Sequence, residues 1–233
     1  VRRLAPGASP EQVCAWIDHG AGSPARRYWT LDPIDGTKGF LRGDQYAVAL
    51  ALIEEGLVQV GVLGCPNLVD GYRADFAGAG SLAFAVRGQG AWVLPLAGAG
   101  EPKPLHVSQT GDPAVARILR SFESGHTDAD KIDELAASLD IQAEPVRMDS
   151  QAKYAVLAAG QGELLLRLLS PKRLDYKEKI WDQAAGSLVV EEAGGTVTDL
   201  DGKPLAFTAG RELAHNRGLD PEYAATLTSE NDQ

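Results

Sequence analysis

The sequence predicts a mixed fold, either α/β or layered α+β. Residues 47–94 contain short apolar runs separated by turns with glycine, which is typical of antiparallel hairpins. After residue 105, helix-like and strand-like segments alternate instead. The segment 94–105 between them is rich in Gly, Pro and Ala, which indicates an exposed loop or a boundary. We therefore predict two sub-domains, an α+β unit at 1–105 and an α/β unit at 106–233.

The first half is expected to contain one helix and a set of short strands. The helix is predicted at 10–18, and the strands at 28–31, 47–53, 58–63 and on both sides of Gly88-Gln89-Gly90. The apolar runs at 47–63 and 82–94 are nearly continuous, so we expect helices to cover both faces of this sheet.

In the second half, helical and extended patterns follow one another. Helices are predicted at 128–139, 152–159 and 183–192, and strands at 162–169 and 196–198. Gly194 and Gly195 are expected to end the last helix. Trp29, Trp92 and Trp181 are interpreted as core aromatics.

Composition and charge exclude several classes of function. The net charge of −10 argues against general binding of nucleic acids or anionic membranes. No apolar run approaches the roughly 20 residues of a membrane-spanning helix. Cys14 and Cys65 are the two cysteines, and both are expected to be buried without a disulfide. A reducing compartment fits this composition best, so we expect a cytoplasmic protein, with an organelle as the alternative.

Two closely spaced aspartates follow the predicted strand at 28–31. Asp32 and Asp35 would repel each other in a loop that Pro33 stiffens, and a divalent cation such as Mg²⁺ would remove that repulsion. Gly36 and Thr37 come next, and a helical turn beginning there would offer N–H groups to a phosphate. An Asx turn at Asp35-Gly36 is the structural alternative.

A third carboxylate comes from the distant segment EKIWDQAAGSLVVEEAGG. Asp182 precedes the predicted helix at 183–192, where it can act as an N-cap worth about 1 kcal/mol. Capping leaves one carboxylate oxygen free. Asp32, Asp35 and Asp182 would together form a three-carboxylate metal site shared between the two halves of the chain.

The two segments also resemble a known family. DPIDGTKGFLRGDQYAVALAL and WDQAAGSLVVEEAGG are similar to two signature motifs of the inositol monophosphatase superfamily of Mg²⁺-dependent, lithium-sensitive phosphatases. KGFLRG and MDSQAKYAVLAAGQGELLLR resemble its 3′(2′),5′-bisphosphate nucleotidase branch. The resemblance covers residues 28–205 and implies a layered αβαβα sandwich. The implied reaction removes the 3′-phosphate of adenosine 3′,5′-bisphosphate to give AMP, with the phosphosulfate PAPS as a related substrate.

The resemblance also implies roles for individual residues. Metal ligands would be Asp32, Asp35, Asp182 and the carbonyl of Ile34. Gly36 and Thr37 would hold the reacting phosphate, Thr37 would also orient the attacking water, and Asp182 would face the substrate. Contacts to the nucleotide would come from His126, Ser150, Lys153 and Arg167.

The local charge around these residues supports an anionic substrate. Residues 147–179 contain seven Lys or Arg and four Asp or Glu, against a strongly acidic chain. Arg167 ends the apolar run ELLLR, so we expect a strand to aim this cation outward, toward a second phosphate. Other cations in this range are interpreted as solvated surface charges. His126 gives no signal of its own without the resemblance.

One acidic motif of the superfamily, upstream of the DPIDGT loop, has no match in the 31 residues before Asp32. We therefore expect the intact protein to extend N-terminally, and residues 1–233 alone to have little phosphatase activity, because that motif holds metal and the nucleophilic water. If residues 1–233 are as active as the extended protein, Glu123 or Asp149 serves as the base.

Three hypotheses follow from the sequence. The first is a monomeric bisphosphate nucleotidase acting on a small adenine nucleotide. The second is a phosphatase for inositol or sugar phosphates, which would not need Lys153 and Arg167. The third is a nucleotide-binding sensor that keeps the pocket without efficient turnover.

Overall fold

The computed structural model describes residues 5–20, 22–98, 100–122, 128–168 and 176–213. Helix α1 (Pro10–His19) comes first, followed by β1 (Arg27–Asp35) and the short helix α2 (Thr37–Arg42). The next strands are β2 (Ala47–Glu54), β3 (Leu57–Cys65), β4 (Leu68–Val69), β5 (Arg73–Ala74), β6 (Ser81–Val86), β7 (Ala91–Pro95) and β8 (Lys103–Pro104). Six of the strands β1 to β8 form an antiparallel sheet with the order β1-β2-β3-β6-β7-β8.

The predicted hairpin between β2 and β3 is confirmed. Glu54 pairs with Leu57, which leaves Glu55 and Gly56 as a two-residue turn. Both turn residues have positive φ angles, 51° and 80°. A type I′ turn requires this backbone conformation, and its twist matches that of the flanking strands.

The described part of the second half adds helices, a 3₁₀ turn at Pro113–Val115 and a smaller sheet. Its elements are β9 (Ile118–Arg120), α3 (Ala129–Ser138), β10 (Val146–Arg147), α4 (Ala152–Ala158), β11 (Leu164–Leu165), a 3₁₀ turn (Ile180–Asp182) and α5 (Ala184–Glu192). The strands β10, β9 and β11 pair in parallel. The strand predicted at 162–169 is thus much shorter, and residues 196–198, predicted as a strand, form none.

Helix α5 covers one face of the large sheet. A Cβ atom at Gly61 of β3 would lie 2.6 Å from the backbone oxygen of Ala185, so only glycine permits this close packing. The core between helix and sheet contains Ile53, Leu63 and Leu188, all fully buried. Elements from both halves of the chain therefore share one core, and the proposed boundary at residue 105 stays a prediction.

The opposite face of the sheet is open at β1 and β2. Trp29 is 56% exposed, and Leu31 and Val48 are also exposed, so the prediction of Trp29 as a core residue is wrong. Cys65 is buried as expected, whereas Cys14 on α1 is exposed. Within the described ranges, every helix is too short or too polar to cross a lipid bilayer.

Candidate functional site

A β-bulge in β1 brings Asp32 and Asp35 to the same face of the sheet. Asp32 pairs with Ala49 and Asp35 with Ala47, so Pro33 and Ile34 together lie opposite the single residue Val48. In a regular strand, residues three apart point to opposite faces. The extra residue corrects this alternation, as bulges next to active sites often do. The sequence had suggested that the aspartates lie in a loop. In the structure both belong to the end of β1.

Asp182 completes the cluster from the other half of the chain. Carboxylate oxygens of Asp32, Asp35 and Asp182 all lie within 4.8 Å of one another. Asp182 ends the 3₁₀ turn that precedes α5, and Gln183 takes the N-cap position without a side-chain hydrogen bond. Asp182 is therefore not an N-cap, and the interpretation of this residue as a capping group is wrong.

Burial and mutual repulsion make this cluster unfavourable when it is charged. Burial and the Asp35 carboxylate raise the pKa of Asp32 to about 6. Burial and Glu178 raise the pKa of Asp182 to about 7. Burial also raises the pKa of Asp35, although a hydrogen bond from the Gln151 N–H and the nearby cations of Lys153 and Arg167 oppose this shift.

The donor set fits a divalent cation. Three carboxylates within 4.8 Å provide the hard oxygen ligands that Mg²⁺ and similar ions prefer. Positive charge at this point would also offset the carboxylate repulsion that, after burial, contributes to the raised pKa values of Asp32 and Asp182. Of the ligands implied by the family resemblance, the Ile34 carbonyl lies on the same bulge and accepts a hydrogen bond from the Thr37 hydroxyl at 3.3 Å.

Gly36 and Ser150 form a close contact between the two halves of the site. Gly36 has a φ angle of 81°, and a Cβ atom there would lie 2.6 Å from Cβ of Ser150. Ser150 itself has a φ angle of 67°, which is uncommon for a residue other than glycine. Helix α2 then begins at Thr37, as predicted for the phosphate-binding turn. The structure thus brings Gly36, Thr37 and Ser150 together beside the carboxylates.

Lys153 lies on α4, three residues after Ser150, and is buried. Its ammonium group donates hydrogen bonds to Ser121 Oγ at 3.0 Å and to the Met148 carbonyl at 3.2 Å. Burial and the neighbouring Arg167 lower its pKa to about 8, while Asp35 among other carboxylates raises it. Lys153 therefore carries most of its charge at neutral pH.

Arg167 does not point outward as a free cation, and this prediction is wrong. Its Nη2 donates to both carboxylate oxygens of Glu178 at 2.8 and 2.9 Å, and its Nε donates at 2.9 Å. Glu178 also accepts a hydrogen bond from Nε2 of Gln183. The side-chain oxygen Oε1 of Gln183 accepts one from the Tyr154 hydroxyl. The strand that was expected to aim Arg167 outward ends at Leu165, and a buried carboxylate balances the charge of the guanidinium.

A cleft next to Lys153 is lined by several cations. Arg120, Arg147, Lys153 and Arg167 border it, together with Ser121 and Phe122. Among its described lining residues there is no carboxylate. Arg120 is engaged by Asp133 and by the Ala129 carbonyl. His126 and Glu123 lie outside the described residues, so their predicted roles stay predictions.

Sequence reasoning missed Gln151 and Glu178, which contact the predicted site residues directly. Gln151 donates its backbone N–H to Asp35, and Glu178 holds Arg167. Gln151 lies within MDSQAKYAVLAAGQGELLLR, and Glu178 begins the segment EKIWDQAAGSLVVEEAGG that contains Asp182. Their own residue types gave no signal, because a glutamine or glutamate beside lysines is common on protein surfaces.

The chain is similar to proteins of known families in sequence and in structure. The pattern of the inositol monophosphatase family matches residues 9–232. A 3′(2′),5′-bisphosphate nucleotidase from Oryza sativa is 48% identical over 219 residues, covering 91% of this chain and 60% of the relative. One from Schizosaccharomyces pombe is 45% identical, covering 92% of this chain and 62% of the relative. The chain thus spans about 60% of the length of these relatives.

Solved structures agree with this result at the level of the fold. An inositol monophosphatase from Zymomonas mobilis superimposes with a TM-score of 0.61 at 21% identity, covering 81% of this chain and 64% of that one. CysQ from Bacteroides thetaiotaomicron, described as a bacterial member of the inositol monophosphatase family, gives a TM-score of 0.59 at 20% identity, with coverages of 81% and 69%. The predicted layered α+β fold of this family is confirmed.

Proposed function

The chain belongs to the inositol monophosphatase family, and we propose that it is a Mg²⁺-dependent phosphatase that removes the 3′-phosphate of adenosine 3′,5′-bisphosphate to give AMP. The observation that carries this proposal is the proximity of the three-carboxylate cluster to buried Lys153, whose charge acts on Asp35. Their segments meet at the Gly36–Ser150 contact, in which Gly36 adjoins Asp35 and Ser150 lies three residues before Lys153. Carboxylates suited to a cation lie on one side, and a cation suited to a second phosphate lies on the other. The names of the relatives from Oryza sativa and Schizosaccharomyces pombe support the same substrate.

Asp32, Asp35 and Asp182 would hold the cation, together with the Ile34 carbonyl. A bound Mg²⁺ supplies positive charge that stabilises the phosphate oxygens in the transition state. The Thr37 hydroxyl donates its hydrogen to the Ile34 carbonyl. The lone pairs of the Thr37 oxygen therefore remain available to accept a hydrogen bond from the attacking water. The water oxygen would bond to phosphorus while the bond from phosphorus to the 3′-oxygen breaks. One proton of the water ends on the 3′-oxygen, which gives AMP and inorganic phosphate.

The nucleotide would extend from the carboxylates across Ser150 into the cationic cleft. Lys153 lines this cleft and would contact the phosphate that does not react. Its hydrogen bonds to Ser121 and Met148 hold the ammonium group in place. Arg167 would contribute less charge, since Glu178 already balances it. His126 is proposed to contact the nucleotide on the basis of the family resemblance alone. PAPS would fit the same cleft, and we propose a monomer located in the cytoplasm.

Phosphate release by the intact protein from several substrates at equal Mg²⁺ concentration tests this function, because residues 1–233 alone are expected to have little activity. We expect faster release from adenosine 3′,5′-bisphosphate than from inositol 1-phosphate, and no release by the Asp182→Asn variant. Faster release from inositol 1-phosphate would overturn the proposal in favour of a sugar phosphatase. Tight binding of the bisphosphate without release would instead identify a nucleotide sensor.

A further inference from the structure

Gln151 is a buried residue, and three of its hydrogen bonds reach toward the segments that carry the carboxylate cluster. It is 3% exposed. Its backbone N–H donates to the Asp35 carboxylate. Its side-chain Nε2 donates to the Trp181 carbonyl at 2.9 Å, and its Oε1 accepts the N–H of Gly186 at 3.3 Å. The backbone N–H, Nε2 and Oε1 of Gln151 therefore all bond to segments that carry a cluster carboxylate or adjoin one.

The two side-chain bonds fix the segment that contains Asp182. Trp181 immediately precedes Asp182, and Gly186 lies in the first turn of α5, just after it. The backbone bond of the same residue holds Asp35. Gln151 thus links two carboxylates that are distant in the sequence. Its main chain bonds to Asp35, and its side chain bonds to the residue before Asp182 and to the helix after it.

Such a link has a physical purpose in a cluster of like charges. Carboxylates that repel one another move apart unless the surrounding structure holds them, and a loosened set binds a cation less tightly. The amide of glutamine suits this position because it provides a donor for Trp181 and an acceptor for Gly186 in one planar group. An apolar side chain of similar length provides neither.

We propose that Gln151 is a positioning residue that sets the separation of Asp35 and Asp182 for a divalent cation. The inference rests on the proposed function, because it concerns the metal site of that reaction. Gln151 acts through the ligands and does not itself touch the cation. Its loss is expected to weaken the binding of Mg²⁺ more than the loss of a comparable buried glutamine elsewhere.

The test compares Gln151→Met with Gln45→Met in the otherwise unaltered protein. Gln45 is the control, because it is 5% exposed and its side chain donates to the Asn67 carbonyl at 2.7 Å and not to a segment that carries a cluster carboxylate. Isothermal titration with Mg²⁺ alone measures the affinity directly. We expect Q151M to raise the Kd by about 10–100-fold, the usual effect of losing a partner of a metal ligand, and Q45M to leave it unchanged.

Thermal unfolding with and without Mg²⁺ separates positioning from a merely structural role. A structural role would lower the midpoint equally in both conditions. A positioning role also reduces the rise in midpoint that Mg²⁺ produces, since that rise depends on the Kd. If Q151M does not fold, Gln151→Asn keeps the amide but shortens its reach, and the same weaker Kd is expected.

The outcomes distinguish this inference from the proposed function. An unchanged Kd in the folded Gln151 variant, or an equal loss in Q45M, overturns the role of Gln151 and leaves the metal site intact. Absence of Mg²⁺ binding by the unaltered protein overturns the metal site itself, and the inference with it.

Discussion

At one end of the candidate site Asp32, Asp35 and Asp182 face one another, whereas at the other end Lys153 and Arg167 each have partners within the protein. The acidic end has raised pKa values because carboxylates are buried beside carboxylates. The cationic end is already compensated, in part by the buried Glu178. The comparison indicates that the acidic end depends on a bound cation for its charge balance, while the cationic end is assembled before any ligand arrives.

The largest effect is expected from removing a charge at the acidic end. Asp182→Asn or Asp35→Asn should lower turnover at fixed Mg²⁺ by more than the roughly 10–100-fold typical of losing an outer partner, because an amide does not offset the charge of a divalent ion. Steady-state phosphate release measures this. Asp201→Asn, at an exposed ion pair, is the control and should keep the full rate. Near-normal rates for both site variants would refute the metal assignment.

The cationic end should instead respond in stability. Arg167→Ala leaves the buried Glu178 carboxylate without its cation. Because the Arg167 side chain is 33% exposed, the loss should stay below the roughly 3–5 kcal/mol of pairs in which both partners are buried. Unfolding by urea measures this loss. The double variant Arg167→Met with Glu178→Gln should recover most of the stability, because no buried charge is left alone. A double variant as unstable as Arg167→Ala would show that packing, and not charge, holds this end together.

Lys153→Met should affect substrate binding more than chemistry. A group on the phosphate that does not react interacts similarly in the ground and transition states, so KM should rise more than kcat falls. In the unaltered protein KM should also rise as the pH increases through about 8, where Lys153 loses its proton. The KM of the variant should stay high and lack this rise. A loss confined to kcat would relocate Lys153 to the reacting phosphate.

The smallest effect concerns stability against pH without metal. Asp32 and Asp182 have pKa values of about 6 and 7 in the folded protein, above their usual value of 3.8. Between about pH 4 and 7 the folded state therefore binds more protons than the unfolded state, so stability falls as the pH rises through this range. In EDTA, the thermal midpoint should drop by several degrees from pH 5 to pH 8, since about 1 kcal/mol corresponds to 2–4 °C in a chain of this size.

Two further measurements sharpen this expectation. Saturating Mg²⁺ should reduce the drop between pH 5 and pH 8, because the cation stabilises the charged carboxylates. Asp182→Asn in EDTA should show a smaller drop than the unaltered protein, which isolates this group from others that titrate in the same range. A midpoint that falls equally in both proteins would contradict the assignment of the pH dependence to the cluster.

The sequence predicted the ends of this site unequally, and the reason is physical. Asp32, Asp35 and Asp182 could be found because the close pair of aspartates predicts repulsion that a cation would remove, and the family resemblance favoured this interpretation over an Asx turn and an N-cap. The Arg167–Glu178 pair could not be found, since either residue alone is typical of a surface. The strand at 196–198 was predicted from β-branched residues in a segment that forms no ladder in the structure. Helices and hairpins with clear glycine turns were predicted to within a few residues.

Gln151 shows what a pattern of residue types leaves out. Its contacts with Asp35 and Trp181 join segments that are distant in sequence, and only the packed structure brings them together. The exposure of Trp29 is a similar case, because an aromatic residue in an apolar strand is usually buried, yet this one lies on the open face of the sheet.

The bulge in β1 makes the chemistry of the site depend on the number of residues as well as on their identity. Side chains along a strand alternate with a period of two, so the two aspartates are in phase only because Pro33 and Ile34 lie together opposite the single residue Val48. Deleting Pro33 would keep every carboxylate, every hydroxyl and every cation of the site. It would also leave the aspartates two residues apart in a regular strand, so both would still share one face, but the bend that the bulge introduces would be lost and the direction of their carboxylates would change. The site is therefore encoded partly in spacing, a quantity that no scan of single substitutions can test.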